Sequence, residues 1–524
     1  MPFRAVTNGV NRLADRSKLP EFSERMIRFM EKEKRVLVFD FGASGGKAFL
    51  AGMEGDAFRI DEIHRFPNDP VEENGALRWN VPKLFAELKE GLAKARDEGG
   101  FVSVAVDTWG VDFGLLDKAG RLMENPVHYR DGRTHGMIAK SSAYITEERF
   151  YEITGIQTME INTAFQLLSL TGSGILERAD RFLMMPDLFN YFLTGVKNTE
   201  YTIATTTQLL NSESRSWSRE VCECLGIPIR LFTGIEYPGK KVGTISEKIQ
   251  EKLGLSAVPV FSAASHDTAS AVAAVPASGE DFIFISCGTW SLLGTELKEP
   301  VISGSSRRYG LTNEGGFGGT TTFLKNIVGL WLIQECRREW RREGKEYAFS
   351  ELEASARKER PFACLIDPNA PDFIAPGDLP ARVRAFCEKT GQYVPQSDGE
   401  IIRCIYDSLA LEYRRGVRQV GECTGRSYSA VHIVGGGAKD ALLCSLTASV
   451  CGLPVLAGPA EATAFGNAAV QMISLGILPN IGAARRCIAN SQKITHYSPE
   501  KAGEWDTAFS RYEKILRTYP KMKG

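Results

Sequence analysis

The chain has 524 residues, 43% hydrophobic and 24% charged, which gives ample core for two or more domains. Its 63 Lys and Arg balance 64 Asp and Glu, so it lacks the basic surplus of a general nucleic-acid binder and no nucleic-acid partner is expected. The 11 cysteines are scattered, with Cys222-x-Cys224 the tightest spacing. That pattern predicts reduced thiols in a cytoplasmic protein without a zinc site. No apolar run approaches a membrane span, so no membrane partner is expected.

Residues 1–34 read as an N-terminal extension, with Met26, Phe29 and Met30 at helical spacing. RVLVFDFGASGGKAFL (35–50) is then an apolar strand, a Gly/Ser turn and a returning strand. In WNVPKLFAELKEGLAKARDEG (79–99), Leu84, Leu88, Leu92 and Ala95 recur at helical spacing. FVSVAVDTWGVDFGLLD (101–117) predicts a buried strand, a turn at Trp109-Gly110 and a second strand. Helical patterns follow through 135–195 and break at Gly195. VPVFSAASHDTASAVAAV (258–275) is a strand running into an Ala-rich helix. FIFISCGTWSLLGTEL (282–297) repeats the first strand-turn-strand device. Residues 300–325 and 340–400 are turn-rich and charged and read as insertions. SAVHIVGGGAKDALLCSLTASVCG (429–452) is strand, triple glycine and helix, and Trp505, Phe509, Tyr512, Leu516 and Tyr519 predict a helical tail docked on the body.

Strand hairpins followed by alternating strands and helices in both halves predict a duplicated α/β protein with a ligand cleft between the halves. The division falls at 35–275 and 276–490, with a hinge near Pro276–Gly279 and a tail at 491–524.

The turn Gly42-Ala-Ser-Gly-Gly-Lys47 differs from a P-loop: its spacing to lysine is one residue short, and Ala48 stands where a magnesium-binding hydroxyl belongs. A carboxylate beside a phosphate cradle needs a cation between them, so Asp40 reads either as a holder of hydrated Mg²⁺ or as part of a tight turn. The turn Ser286-Cys-Gly288-Thr289 offers backbone N–H groups and hydroxyls to phosphate, or is an ordinary hairpin. Gly435-Gly436-Gly437 admits a close ligand or simply packs. Asp267, in His266-Asp267-Thr268, is a helix N-cap or a base near a phosphate. Trp109, His128 and His432 read as packed side chains, Cys287 as a serine substitute, and Tyr129, Arg130, Asp131 and Arg133 as either a surface ion pair or a polyol-binding cluster.

Taken in order, eleven segments resemble the FGGY-type carbohydrate kinases from about residue 35 to about 490. They are DFGASGGK (40–47), DTWGVDFGLLD (107–117), YRDGRT (129–134), MPDLFNYFLTG (185–195), ATTTQLLN (204–211), SHDTASAV (265–272), SCGTWSLLG (286–294), TNEGG (312–316), LKNIVGLWLIQE (324–335), HIVGGG (432–437) and GPAEATAFGN (458–467). The resemblance implies two actin-like or ribonuclease-H-like domains around a central cleft. It implies transfer of the ATP γ-phosphate, with Mg²⁺, to the 1-hydroxyl of a ketose, L-rhamnulose foremost, in a monomer or homodimer. L-fuculose, L-ribulose and D-xylulose are the alternative substrates, and a non-catalytic sugar or nucleotide sensor is the alternative class. It further implies Asp267 as the base, Gly110, His266, Thr268 and Asn326 as sugar contacts, and Ala43, Ser44, Gly45, Gly46, Lys47, Thr289, Gln334 and Gly436 as ATP contacts. Lys47 stands where the family usually has arginine, so a point charge replaces a bidentate fork. Gly45 and Cys287 stand where serine is usual.

Overall fold

The computed structural model describes residues 34–500 and 502–519. Apart from Lys34, the N-terminal extension and its helical spacing lie outside the described residues.

The run VLVF has no polar face, so its strand must be covered on both sides. It forms β1 (Val36–Gly42), buried over Val36 to Phe39. β1 turns through Ala43 and Ser44 into antiparallel β2 (Gly45–Glu54), with Asp40 opposite Lys47, and β2 pairs with β3 (Ala57–Pro67). Helix α1 (Val81–Asp97), capped by the Asn80 side chain, buries Leu84, Leu88, Leu92 and Ala95 as their spacing requires. It leads to β4 (Ser103–Thr108), parallel to β1. After an excursion, β5 (Lys241–Thr244) and β6 (Pro259–His266) complete a sheet of order β5-β6-β4-β1-β2-β3.

The second half contributes β7 (Ile283–Cys287), β8 (Trp290–Leu297), β9 (Leu311–Gly315), β10 (Thr321–Val328), β11 (Val431–Val434), β12 (Val455–Ala457) and β13 (Thr495–Tyr497). Their order is β9-β10-β8-β7-β11-β12-β13. The inner run β10-β8-β7-β11-β12 repeats β3-β2-β1-β4-β6: antiparallel on one side of the first strand, parallel on the other. The duplication expected from the two hairpins is present in the topology.

Two local expectations change. The excursion holds short helices as expected, and α2 (Met185–Thr194) ends at Gly195 in the left-handed region. It also holds a strand, Arg181–Met184, paired with Phe113–Leu116, too short to show periodicity. Residues 300–325 are not an insertion, because β9 and part of β10 lie there. The Asn, Glu and Gly of β9 mask a strand that is nonetheless fully buried. Residues 340–400, read as an insertion, carry helices Phe349–Lys358 and Leu379–Lys389 among turns and pack into the second core. There Cys364, Cys387 and Cys404 lie buried with sulfur atoms within 4.8 Å of one another, a grouping invisible in their spacing.

The linear division at 275 is crossed by the chain. Short helix α3 (Asp267–Ala273) follows β6, and α4 (Trp331–Arg342), α5 (Asp398–Thr424) and α6 (Ala441–Cys451) belong with the second sheet. Helices α7 (Ala462–Ser474) and α8 (Ile481–Ser491) instead pack on α3, β1 and β3 of the first half. Phe465, Ala468 and Met472 share one core with Val36, Val38 and Ala271. Gln471 donates to the Leu37 carbonyl and accepts from the Ser103 hydroxyl. The tail helix α9 (Ala502–Thr518) buries Phe509 and Tyr512 on the second core, as its spacing predicts.

Candidate active site

A cavity of about 720 Å³ lies between the two sheets. One wall carries Asp40, Ala43, Ser44 and Lys47 of the first hairpin, and Gly110 after β4. The other carries Thr289, Asn326, Gln334 and Gly436, and His266-Asp267-Thr268 reaches it at the junction of β6 and α3. Of the residues expected at the site, Gly45 and Gly46 alone stay out of the cavity wall. A Cβ on Gly46 would fall 2.2 Å from the Phe66 ring, and one on Gly45 would meet the Phe66 carbonyl at 3.1 Å. These two glycines make room for a neighbouring strand.

The triple glycine divides its work. A Cβ on Gly437 would come within 2.2 Å of the Cys287 sulfur, and Gly435, at φ +81°, sits against the Cys287 carbonyl. Gly436 has nothing within 4 Å of its missing Cβ and opens onto the cavity. Cys287 is buried beneath Gly437, and Ser291 donates to its sulfur at 3.6 Å. Burial pushes its thiol up to about 11, so it packs like a small side chain and is no nucleophile, as the sequence suggests.

Carboxylates converge at the cavity floor. Asp40 and Asp107 face each other across the β1–β4 pairing. Burial, then the charge of Asp267, pushes Asp40 up to about 7. Burial, then Asp40, pushes Asp107 well above the carboxylate range. Asn467 of α7 donates to Asp107 Oδ2 at 2.5 Å, while Oδ1 has no partner. Asp267 is the first residue of α3 and caps nothing; its side chain keeps about 32% exposure toward the cleft. Burial raises its carboxyl above the ordinary value.

His266 stands between two acids, Nε2 at 3.4 Å from Asp267 and Nδ1 at 3.2 Å from Glu314, the latter without hydrogen-bond alignment. Burial pushes the imidazole down, but Glu314 and Asp267 outweigh it and hold the ring above its ordinary value. Glu314 lies in the TNEGG segment, yet nothing in that segment alone marks it as the partner of His266. Lys47 Nζ pairs with Glu461 at 2.7 Å, from the loop that opens α7.

On the Gly110 side, a Cβ on Gly110 would meet Thr206 and His266 at 3.1 to 3.3 Å. The next residue, Val111, is held at φ +66°, a strained position for a β-branched side chain. Its N–H donates to Thr206, and its carbonyl accepts from Thr163. Asp112 is the buried hub beneath: Trp79, Trp109 and the Tyr129 N–H donate to Oδ2, and Gln166 donates to Oδ1. Trp109 is thus a core residue that also lines the cavity. His128 is buried and stacked on Trp79 at 4.1 Å.

The Tyr129–Arg133 segment splits. Tyr129 and Arg130 line the cavity, whereas Asp131 accepts from the Leu77 and Arg133 N–H groups and Arg133 donates to Gln166. The surface ion pair considered for it does not form among these four residues.

Residues 35–274 match the N-terminal domain, and residues 283–475 the C-terminal domain, of the FGGY family of carbohydrate kinases. The chain belongs to the FGGY family of carbohydrate kinases. Among curated relatives, it is 39% identical to a rhamnulokinase of Bacteroides thetaiotaomicron, covering 93% of this chain and 100% of the relative. It is 41% identical to a rhamnulokinase of Enterococcus faecalis, covering 93% and 98%. Among solved structures, a ligand-bound xylulose kinase from Lactobacillus acidophilus superposes with a TM-score of 0.76 at 16% identity, covering 92% and 98%. A Plasmodium falciparum glycerol kinase with ADP gives 0.73 at 14%, covering 93% and 98%. At those identities the structures share the FGGY-kinase fold with this chain, two α/β domains of actin-like type. The FGGY kinases use ATP with a divalent metal, and this chain is a carbohydrate kinase. Among the described residues, no helix is long and apolar enough to cross a membrane.

Proposed function

We propose that this FGGY kinase transfers the ATP γ-phosphate to the 1-hydroxyl of L-rhamnulose, with Mg²⁺ as the divalent ion. The observation that carries the reading is the meeting of Asp267 with both hairpin turns in one cavity, in a chain about 40% identical to rhamnulokinases along nearly its whole length. The sugar rests among Gly110, His266, Thr268 and Asn326, with its 1-hydroxyl toward Asp267. Asp267 takes the hydroxyl proton as the oxygen attacks phosphorus; its raised proton affinity suits that role. Glu314 lies against Nδ1 of the His266 ring, leaving Nε2 beside the sugar and the base.

Lys47 leaves Glu461 to meet the phosphate chain, and the turns at Ala43–Ser44 and Thr289 border it from opposite walls, the Gly288 N–H itself being taken by the Trp290 carbonyl at 2.8 Å. Gln334 and Gly436 border the nucleotide end. Asp40 and Asp107 suit a hydrated Mg²⁺: both are hard oxygen donors, one oxygen of Asp107 has no partner, and a cation would offset both the burial that raises each carboxyl and the charge of the neighbouring acids, Asp267 on Asp40 and Asp40 on Asp107. That ion would neutralise charge developing on the phosphate oxygens. Gly45 and Gly46 serve by permitting the hairpin to pack.

The test is ADP release with L-rhamnulose, L-fuculose, L-ribulose and D-xylulose. L-rhamnulose is expected to have a kcat/KM at least about tenfold above the others, a margin of about 1.4 kcal/mol in transition-state binding. A higher value for any other ketose would overturn the substrate while leaving the kinase family in place.

A further inference from the structure

Arg130 belongs to the first half but reaches the second. Its guanidinium carbon lies 5.4 Å from the Tyr129 ring centre and 4.8 Å from that of Trp331. Nε donates to the Tyr129 hydroxyl at 3.3 Å, and Nη1 reaches the Ile374 carbonyl at 3.4 Å. Among the described residues, no carboxylate lies within 4.0 Å of it. Arg338 lies 5.4 Å from the same indole. The cation therefore has aromatic faces and a carbonyl as its partners, an arrangement that depends on orientation and separation.

Each end of this stack is tied to one side of the reaction. Tyr129 donates its backbone N–H to Asp112, the hub that also holds Trp79 and Trp109 beneath Gly110. Trp331 opens α4, which carries Gln334, and its N–H donates to the Thr289 carbonyl at 3.1 Å. Leu330 likewise donates to Gly288 at 3.0 Å. The floor beneath Gly110 is thus bonded to Tyr129, and the turn at Gly288–Thr289 to Trp331. The stack joins the two across the mouth of the cleft.

We infer that Arg130 is a positioning residue that couples the sugar and nucleotide sites, its stack on Trp331 being the contact that each ligand stabilises for the other. The inference rests on the proposed placement of the sugar over Gly110 and of the phosphates at Gly288–Thr289. Sugar fixes the floor and hence Arg130; the Trp331 indole, and with it the phosphate turn, is then held where the structure has it. Nucleotide does the same in reverse, because coupling between two sites is reciprocal.

Calorimetry on the full chain with the non-hydrolysable analogue AMP-PNP and L-rhamnulose tests this. In the wild type each ligand is expected to tighten the other by about tenfold, within the usual range for such coupling. Arg130→Met, which keeps the stem without the charge, should reduce the factor to below about twofold while leaving each ligand's affinity alone within about threefold. Trp331→Leu should do the same, and the double variant should lose no more than either single one. Trp331→Phe, which keeps an aromatic face, should retain most of the coupling, an outcome a merely structural role would not produce. Tenfold coupling surviving in Arg130→Met overturns the inference. So does a loss of sugar affinity in the absence of nucleotide, which would make Arg130 a direct sugar contact. A wild type that binds no L-rhamnulose by itself fails the substrate reading and this one with it. A wild type that binds both ligands without coupling fails this inference alone.

Discussion

Replacing Asp267 with asparagine removes the proposed base while changing little else. The amide keeps the volume and can still accept from Thr268, which lies 3.2 Å from Oδ1. General-base assistance is worth about 10²- to 10⁴-fold, or roughly 3 to 5 kcal/mol of barrier. The upper half of that range is expected here, because His266, 3.4 Å from Asp267, is held toward the protonated form by Glu314. A turnover loss of about 10³- to 10⁴-fold follows. Folding should barely change: the negative charge at the first turn of α3 is worth about 0.3–1 kcal/mol, and losing it also relieves the buried Asp40. An ADP-release assay at saturating ATP and L-rhamnulose, alongside urea denaturation of both proteins, gives the two quantities. Turnover within tenfold of the wild type, with unfolding unchanged, would refute the assignment of Asp267 as base. A collapse of stability by several kcal/mol would show instead that its role is structural.

Three further outcomes concern the scaffold. Gly466→Ala would place a Cβ 1.8 Å from the Ser270 carbonyl oxygen, so α7 must move off α3; a loss of about 3 kcal/mol in urea unfolding is expected, at the top of the overpacking range, and a change under about 0.5 kcal/mol would contradict the packing. Lys325→Met leaves the buried Glu412 without a partner at 2.8 Å, though Arg415 and Tyr512 remain; destabilisation near about 3 kcal/mol, the lower end for a broken buried pair, should appear in the same measurement. His432 is buried between strands, and burial followed by the Arg485 charge holds its ring down to about 4. Its pKa is lower folded than unfolded, so the stability it contributes is complete above about 6.5 and drains away as pH falls toward about 4, by up to about 3 kcal/mol. His432→Phe should flatten the fall in urea midpoint over that window, and an unchanged slope would place the acid sensitivity elsewhere.

The duplicated α/β plan was legible because each half begins with an apolar strand running into a Gly-rich turn, and apolar runs buried on both faces read plainly in sequence. Asp267 was legible in part: its place between a strand and an Ala-rich helix is visible, but its environment is not. Glu314, Asp112, Asn467 and Glu461 lie far along the chain from the groups they touch, so spacing could not pair them. Cys364, Cys387 and Cys404 escaped for the same reason. The strands at 311–315 and 321–328 were obscured by Asn313, Gly315, Lys325 and Asn326, residue types that strands seldom carry. Gly45 and Gly46 sit inside a phosphate-binding motif, and a motif cannot tell a glycine that admits a ligand from one that admits Phe66.

The return of α7 to the first sheet has a consequence for biosynthesis. The core around Val36, Val38 and Ala271 is incomplete until Phe465, Ala468 and Met472 have been made, and Asp107 lacks its Asn467 donor until then. The first half therefore waits, incompletely folded, while nearly all of the second emerges from the ribosome. A fragment ending near residue 275 should aggregate, and supplying residues 276–519 as a separate chain should bring it into solution. The two halves resemble each other as folds, yet the first cannot be finished before the second is almost done.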